Sequence, residues 1–306
     1  MSIPLTGAQF EISAGDYRAT VTELGAGLRE LHHRGTPVLA GYEADELPPA
    51  AAGQLLAPWP NRVDGGRYSF AGASLQLDLS EPAHGNAIHG LTRWANWVPE
   101  VHTQDQVRLS HVLHGRTGYP FCLRIEAEYR LHPDEGLQVS VTAGNPGTRP
   151  APYGTGSHPY LTTGPRLIDE CELTLPAASW LPIGDRGIPA GPLEGIDGTP
   201  FDFRKPRAIG ATRLDHALTT LERSEDGRAW VRLAGPHGGV RLWAGEGYGW
   251  LQVFTGDPLA EPRRRRALAV EPMTCPPNAF ATGTDLITIE PGGSVRHAWG
   301  IEAQPA

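Results

Sequence analysis

Apolar side chains at positions 123, 125, 127, 129 and 131 alternate with charged ones at 124, 126, 128 and 130. A period of two puts one side of an extended chain on a core and the other in water, so residues 123–131 read as a strand. Residues 137–142 (LQVSVT) repeat the pattern after a turn at 132–136 (HPDEG), which predicts a hairpin. Residues 107–113, 171–175, 240–243, 250–254 and 286–289 read as further short strands. Between them lie turn clusters rich in glycine, which loses backbone entropy on ordering, and proline, which has no N–H to donate; the chain holds 38 and 29 of these. No amphipathic pattern extends over three helical turns. Many short strands with frequent turn signals predict an all-β fold, a large antiparallel β-sandwich with few short helices. No tract reads as a linker or a repeat, so residues 1–306 are expected to form a single domain.

Composition narrows the function classes. A hydrophobic fraction of 40% with 20% charged residues is that of an ordinary globular protein. A formal charge of −8 argues against a nucleic-acid partner, because binding to a phosphate backbone rests on clustered Lys and Arg. The one basic run, residues 263–266, reads as a solvated turn in preference to an anion clamp. Cys122, Cys171 and Cys275 form no CxxC pair and read as buried thiols or spectators. The N-terminal residues lack the charged and apolar blocks of a signal peptide, and no apolar run could span a bilayer; a cytoplasmic protein with no membrane partner is expected.

Four segments break the alternating pattern and place chemically capable residues beside Gly, Pro and Trp. In residues 55–63 (LLAPWPNRV), two prolines stiffen the approach to Asn61 and Arg62. The pair could donate to sugar hydroxyls with Trp59 as a wall for a sugar's C–H face; a structural salt bridge beneath a loop explains Arg62 equally well. His89 sits between glycines in residues 85–94 (GNAIHGLTRW), where it could exchange a proton near neutrality or be a hydrogen-bonded structural histidine. In residues 153–161 (YGTGSHPYL), glycines permit close ligand approach and Pro159 biases His158 toward an extended backbone. In residues 267–278 (ALAVEPMTCPPN), an apolar strand delivers Glu271 at its end. A carboxylate there is costly unless paired or used, and burial raises its pKa toward the range of a general base.

Residue types alone leave hydrolysis, isomerisation and plain binding open. There is no GxSxG elbow and no HExxH zinc motif, and Gly245, Gly247 and Gly249 lack dinucleotide-loop spacing.

Taken together, residues 58–62 (PWPNR), 66–70 (GRYSF), 86–90 (NAIHG), 156–160 (GSHPY), 199–203 (TPFDF), 214–216 (LDH) and 270–273 (VEPM) resemble the aldose 1-epimerase (galactose mutarotase) family, in that order and over nearly the whole chain. The resemblance implies a β-supersandwich with a sugar in an open cleft on one sheet. It implies that Glu271 is the general base, His158 the general acid and His89 a second active-site histidine. It further implies that Asn61, Arg62 and Asp215 contact sugar hydroxyls and that Tyr160 is an aromatic neighbour of the acid. The implied reaction is interconversion of the anomers of a free aldohexose by ring opening, with no metal or nucleotide required and a small sugar as the partner of a monomer or homodimer. The stretch between Asp202 and Asp215 is shorter than in the best-known members, which bears on the loops that frame the cleft and so on sugar preference.

Three other readings share these residues. A hexose-6-phosphate epimerase would need arginines for the phosphate, and residues 263–266, Arg93 and Arg67 are the candidates. A silent sugar-binding module would not need a complete acid and base set. A glycosidase would need two facing carboxylates, with Glu271 and Asp215 the pair to consider.

Overall fold

The computed structural model describes residues 3–164, 166–236 and 238–304. Almost every element is a strand; the described residues add one single-turn α-helix, Ala279–Thr282, and two 3-10 turns. Two large antiparallel sheets dominate. The nine-stranded sheet runs, in spatial order, Val98–His102, Gln106–Leu113, Leu123–His132, Gly136–Gly144, Ser294–Gln304, Gly238–Ala244, Ala229–Gly235, Glu172–Thr174 and Arg207–Ala208. The eight-stranded sheet runs Glu194–Gly195, Ala177–Leu181, Asp215–Leu221, Trp250–Phe254, Leu268–Met273, Gly156–Ser157 and Leu55–Leu56, with Tyr160–Leu161 also paired to Leu268–Met273. A four-stranded N-terminal sheet spans Gln9–Ala14 to Thr36–Pro37.

The strands forecast from alternation are present. Leu123–His132 and Gly136–Gly144 pair in register as a hairpin, and Leu123, Ile125, Ala127, Tyr129 and Leu131 all face the core. Side chains from both sheets, such as Ile125 and Val139 from one and Val253 and Val270 from the other, belong to one continuous apolar cluster, which makes the pair a sandwich.

The eight-stranded sheet differs from its partner in what its second face does. Every residue of Leu268–Met273 is buried. Leu268 and Val270 point into the core, while Ala269, Glu271 and Met273 occupy the opposite face. Glu271 therefore lies inside the strand, which continues through Pro272 and Met273 where the sequence pattern had placed its end. The adjacent strand repeats the arrangement, with Leu251 and Val253 inward and Trp250, Gln252 and Phe254 on the other face.

The basic run 263–266 is a turn in which Arg264 and Arg266 are exposed, as expected, while Arg263 and Arg265 are tied to carboxylates. Arg263 is held by both carboxylate oxygens of Glu46, at 2.7 and 2.8 Å. Arg265 binds Asp169 at 2.7 Å and Asp257 at 2.9 Å and donates to the Gly210 and Thr212 carbonyls. Its side chain is 12% exposed, and it ties three loops together below the sheet surface. No described helix is long and apolar enough to cross a membrane.

Candidate active site

Cross-strand register assembles the floor of a cleft on the outer face of the eight-stranded sheet. Gln252 lies directly opposite Glu271 on one side and Ala217 on the other. One pleat along, Asp215, Phe254, Ala269 and Tyr160 form the next row. Gln252 reaches across the rows, donating from Nε2 to Asp215 Oδ1 at 2.7 Å. Its Oε1 and Glu271 Oε2 are buried acceptors with no hydrogen-bond partner among the described residues, an arrangement that leaves two sites for hydroxyl donors.

His158 sits between two-residue strands, its N–H donating to the Gln54 carbonyl and its own carbonyl accepting from Gly53. That backbone clamp sets Nε2 at 3.3 Å from Glu271 Oε1. Tyr160 stacks on the His158 ring at 5.0 Å and 19°. Its hydroxyl donates to the Ala50 carbonyl at 3.2 Å. His89 meets the other side of His158 edge-on, with centroids 5.5 Å apart.

His89 and Asn61 are positioned as a pair. Asn86–Ile88 runs antiparallel to Arg62–Asp64, so Asn61 and His89 flank the same end of that ladder. Both adopt left-handed backbone, at φ 52° and 60°, a conformation costing about 1–3 kcal/mol for a residue with a Cβ. Reciprocal bonds hold it: His89 N–H donates to the Asn61 carbonyl at 2.9 Å, and Asn61 N–H donates to His89 Nδ1 at 3.2 Å. In the neutral ring the proton is consequently on Nε2. Gly90 completes the turn at φ 72°, where any Cβ would overlap the Ala57 carbonyl.

Arg62 lines the cleft but is bound bidentately by Glu81, with Nε and Nη2 each 2.8 Å from a carboxylate oxygen. The salt bridge anticipated as an alternative is thus real, and it leaves Nη1 outside the ion pair. Trp59 does not serve as a wall of this cleft. It is 2% exposed and packs on Phe280 at 5.2 Å, inside the core.

Electrostatics separates the groups. Burial raises Glu271 well above the usual carboxyl range, with Asp215 adding to the shift and Arg62 opposing it. Burial also raises Asp215, against Arg62 and the Gln252 hydrogen bond. The same burial pushes His158 down to about 3 and holds His89 well below the ordinary imidazole value. Burial thus disfavours the charged form of both partners in the 3.3 Å contact between His158 and Glu271, which weighs against a standing ion pair there.

The cleft thus gathers all seven residues singled out in the sequence: Glu271, His158, His89, Asn61, Arg62, Tyr160 and Asp215. It adds Glu81 and Gln252, which sequence reasoning missed, and Arg93, considered there only as a phosphate contact. Burial was the signal for Gln252, an amide in the middle of an apolar strand; Glu81 lies in a loop with no pattern to mark it.

A family model described as aldose 1-epimerase matches residues 8–302. The chain belongs to the aldose 1-epimerase family. Among its relatives, an uncharacterized protein of Escherichia coli K12, YihR, is 36% identical over 299 residues, 98% of this chain and 94% of that one. The galactose mutarotase of Mus musculus is 27% identical over 174 residues, 54% of this chain and 49% of that protein. Among solved structures, the aldose epimerase homologue of C. elegans superimposes with a TM-score of 0.87 at 17% identity, covering 98% of this chain and 99% of its own. The galactose 1-epimerase of Lactobacillus acidophilus gives 0.80 at 20% identity, covering 95% and 93%. These likenesses establish the galactose mutarotase-like fold.

Proposed function

We propose that this family member interconverts the α and β anomers of a free aldohexose by opening and reclosing its ring. The observation that carries the reading is the buried contact of Glu271 and His158 on the cleft floor, 3.3 Å apart. The two oxygens on the anomeric carbon, the C1 hydroxyl and the ring oxygen, are separated by a single atom. A base and an acid this close can serve both at once.

The pair holds one proton. Moving it from Glu271 to His158 gives a carboxylate and an imidazolium. Glu271 then takes the proton from the C1 hydroxyl, the C1–O bond to the ring oxygen breaks as the C1 carbonyl forms, and His158 protonates the departing ring oxygen. Glu271 ends as a carboxylic acid and His158 as a neutral imidazole, the forms that burial favours. Ring opening therefore returns the pair to the forms from which it started. Rotation about C1–C2 turns the other carbonyl face toward the ring hydroxyl, and the reverse transfers close the other anomer.

Around this centre, His89 Nε2–H, the Asn61 amide and Arg62 Nη1 are donors for sugar hydroxyls, and Asp215 and Gln252 Oε1 are acceptors. The cleft volume of about 260 Å³ lies just below the range of about 300–1,000 Å³ typical of drug-sized ligands, which suits one sugar ring. Polarimetry on freshly dissolved glucose and galactose tests the reading. The protein should speed the approach to anomeric equilibrium, and a rate equal to that of buffer alone would refute it.

A further inference from the structure

The floor of the cleft carries two empty acceptors at one place. Glu271 and Gln252 lie directly opposite each other on adjacent strands and are 2% and 3% exposed. Opposed side chains on one face of a sheet stand about 4.5–5.5 Å apart at Cβ, so the two reach the same volume. Because Gln252 Nε2 donates to Asp215 Oδ1 at 2.7 Å, the acceptor end of the amide is defined. That Oε1 and Glu271 Oε2 are both buried without a hydrogen-bond partner among the described residues. A buried acceptor left unfilled is costly, so this pair fits a ligand atom that carries two hydroxyls.

Anomer exchange itself makes room for such an atom. A site that takes both anomers receives the C1 oxygen first in one orientation and then in the other, so both positions around C1 are open. A C1 that carries hydroxyls in both positions at once is the hydrate of a 1,5-lactone, the tetrahedral species through which that lactone hydrolyses. Opening the hydrate repeats the opening of an aldose. A proton leaves a C1 hydroxyl, the bond from C1 to the ring oxygen breaks, and the ring oxygen gains a proton. The one difference is a hydroxyl where the aldose has a hydrogen on C1.

We propose that the same site hydrolyses the 1,5-lactones of aldohexoses to aldonic acids. The inference rests on the anomer-exchange reading, because it uses the same base and acid on the same carbon. Water adds first. The Glu271 carboxylate takes a proton from water as the water oxygen bonds to C1, and the carbonyl π pair moves to its oxygen, which takes the proton of the His158 imidazolium. The two oxygens served are again held by a single carbon, within reach of groups 3.3 Å apart. The proton on Glu271 then passes to His158, and a second cycle opens the hydrate. Glu271 takes the proton of one C1 hydroxyl, the C1 bond to the ring oxygen breaks as the acid carbonyl forms, and His158 protonates the ring oxygen. Gln252 Oε1 accepts from the C1 hydroxyl that remains. The sum is lactone plus water giving hydroxy acid, with the pair restored and nothing oxidised or reduced. The reaction class that supplies such a substrate is oxidation of an aldopyranose at C1.

The test follows acid release from glucono-1,5-lactone and galactono-1,5-lactone at constant pH, beside anomer exchange of glucose and galactose by NMR. Acid release should exceed the buffer rate in proportion to protein concentration. The free sugars should compete, with inhibition constants equal to their KM for exchange. Glu271→Gln should lower kcat/KM for both reactions by about 10²–10⁴-fold. Hydrolysis of both lactones at the buffer rate, by protein that exchanges anomers, would overturn the proposal and leave anomer exchange intact. Hydrolysis that persists in Glu271→Gln, or that neither sugar inhibits, would overturn it by placing the activity elsewhere. A protein that accelerates neither reaction would remove the anomer-exchange reading, and this one with it.

Discussion

Replacing Glu271 by Gln separates chemistry from architecture at one atom. The side chain keeps its shape on the cleft face of Leu268–Met273, so its neighbours Ala269, Met273 and Gln252 need not move. What disappears is, among the described residues, the only carboxylate in contact with His158. General base catalysis contributes about 10²–10⁴-fold, so the exchange rate should fall by that factor, about 2.7–5.4 kcal/mol in the barrier. Stability should move the other way. The native carboxyl is 2% exposed and its pKa is raised above the ordinary 4.5, so folding favours the protonated form. That contribution is complete below the ordinary value and is lost as pH rises through the native value, at about 1.4 kcal/mol for each pH unit between the two. Glutamine cannot ionise and has no such loss. Tm measured by circular dichroism should therefore show Glu271→Gln matching the native protein near pH 4 and exceeding it increasingly at higher pH, alongside a polarimetric rate close to that of buffer. A variant that retains native turnover would refute the assignment of the base. A variant whose Tm falls below native across the pH range would show that Glu271 is a structural acceptor.

Three further outcomes follow from the same geometry. The pH profile of kcat/KM should be bell-shaped because activity needs one proton on the pair: the acid limb comes from a second proton entering near the His158 value of about 3, and the basic limb from loss of the last proton above the ordinary glutamate range. In Glu81→Gln, Arg62 loses a bidentate partner in a setting where both side chains are under one-fifth exposed, and urea denaturation should report a loss of about 1–3 kcal/mol together with a raised KM. Gly90→Ala should cost about 2 kcal/mol or more in the same assay, since the new Cβ meets the Ala57 carbonyl at a backbone angle that L residues avoid.

How much of this was legible in the sequence depended on how local each signal is. Alternation over 123–131 and 137–142 marked a hairpin correctly because one face of that sheet meets water, so polar residues record the period. The longest strand, Ser294–Gln304, was missed although it sits in the middle of the same sheet, because Arg296, His297 and Gly300 blur its pattern. Residues 268–273 failed differently. With both faces buried, nothing in the period tells core from cleft, and Glu271 was read as the end of a strand that in fact continues. Of the seven proposed site residues, Asn61, Arg62, His89, His158 and Glu271 stood out in segments that break the alternation, whereas Asp215 and the role of Tyr160 came only through separated blocks resembling a family. The pairings Arg62 with Glu81 and Asp215 with Gln252 join residues 19 and 37 positions apart, and a single sequence carries no record of that proximity.

The pleat that alternates core and cleft along Trp250–Phe254 and Leu268–Met273 has a consequence for how such a chain can diverge. A residue inserted within either strand would exchange the two faces, sending Glu271 or Gln252 into the hydrocarbon interior and Val270 or Val253 out to the ligand. Length variation there is forbidden by geometry, independently of any demand for activity. The loops at the rim carry no such constraint. Descendants are therefore free to alter what is gripped by lengthening, trimming or recharging the rim, while the spacing of the groups that move protons is inherited unchanged as a property of the sheet itself.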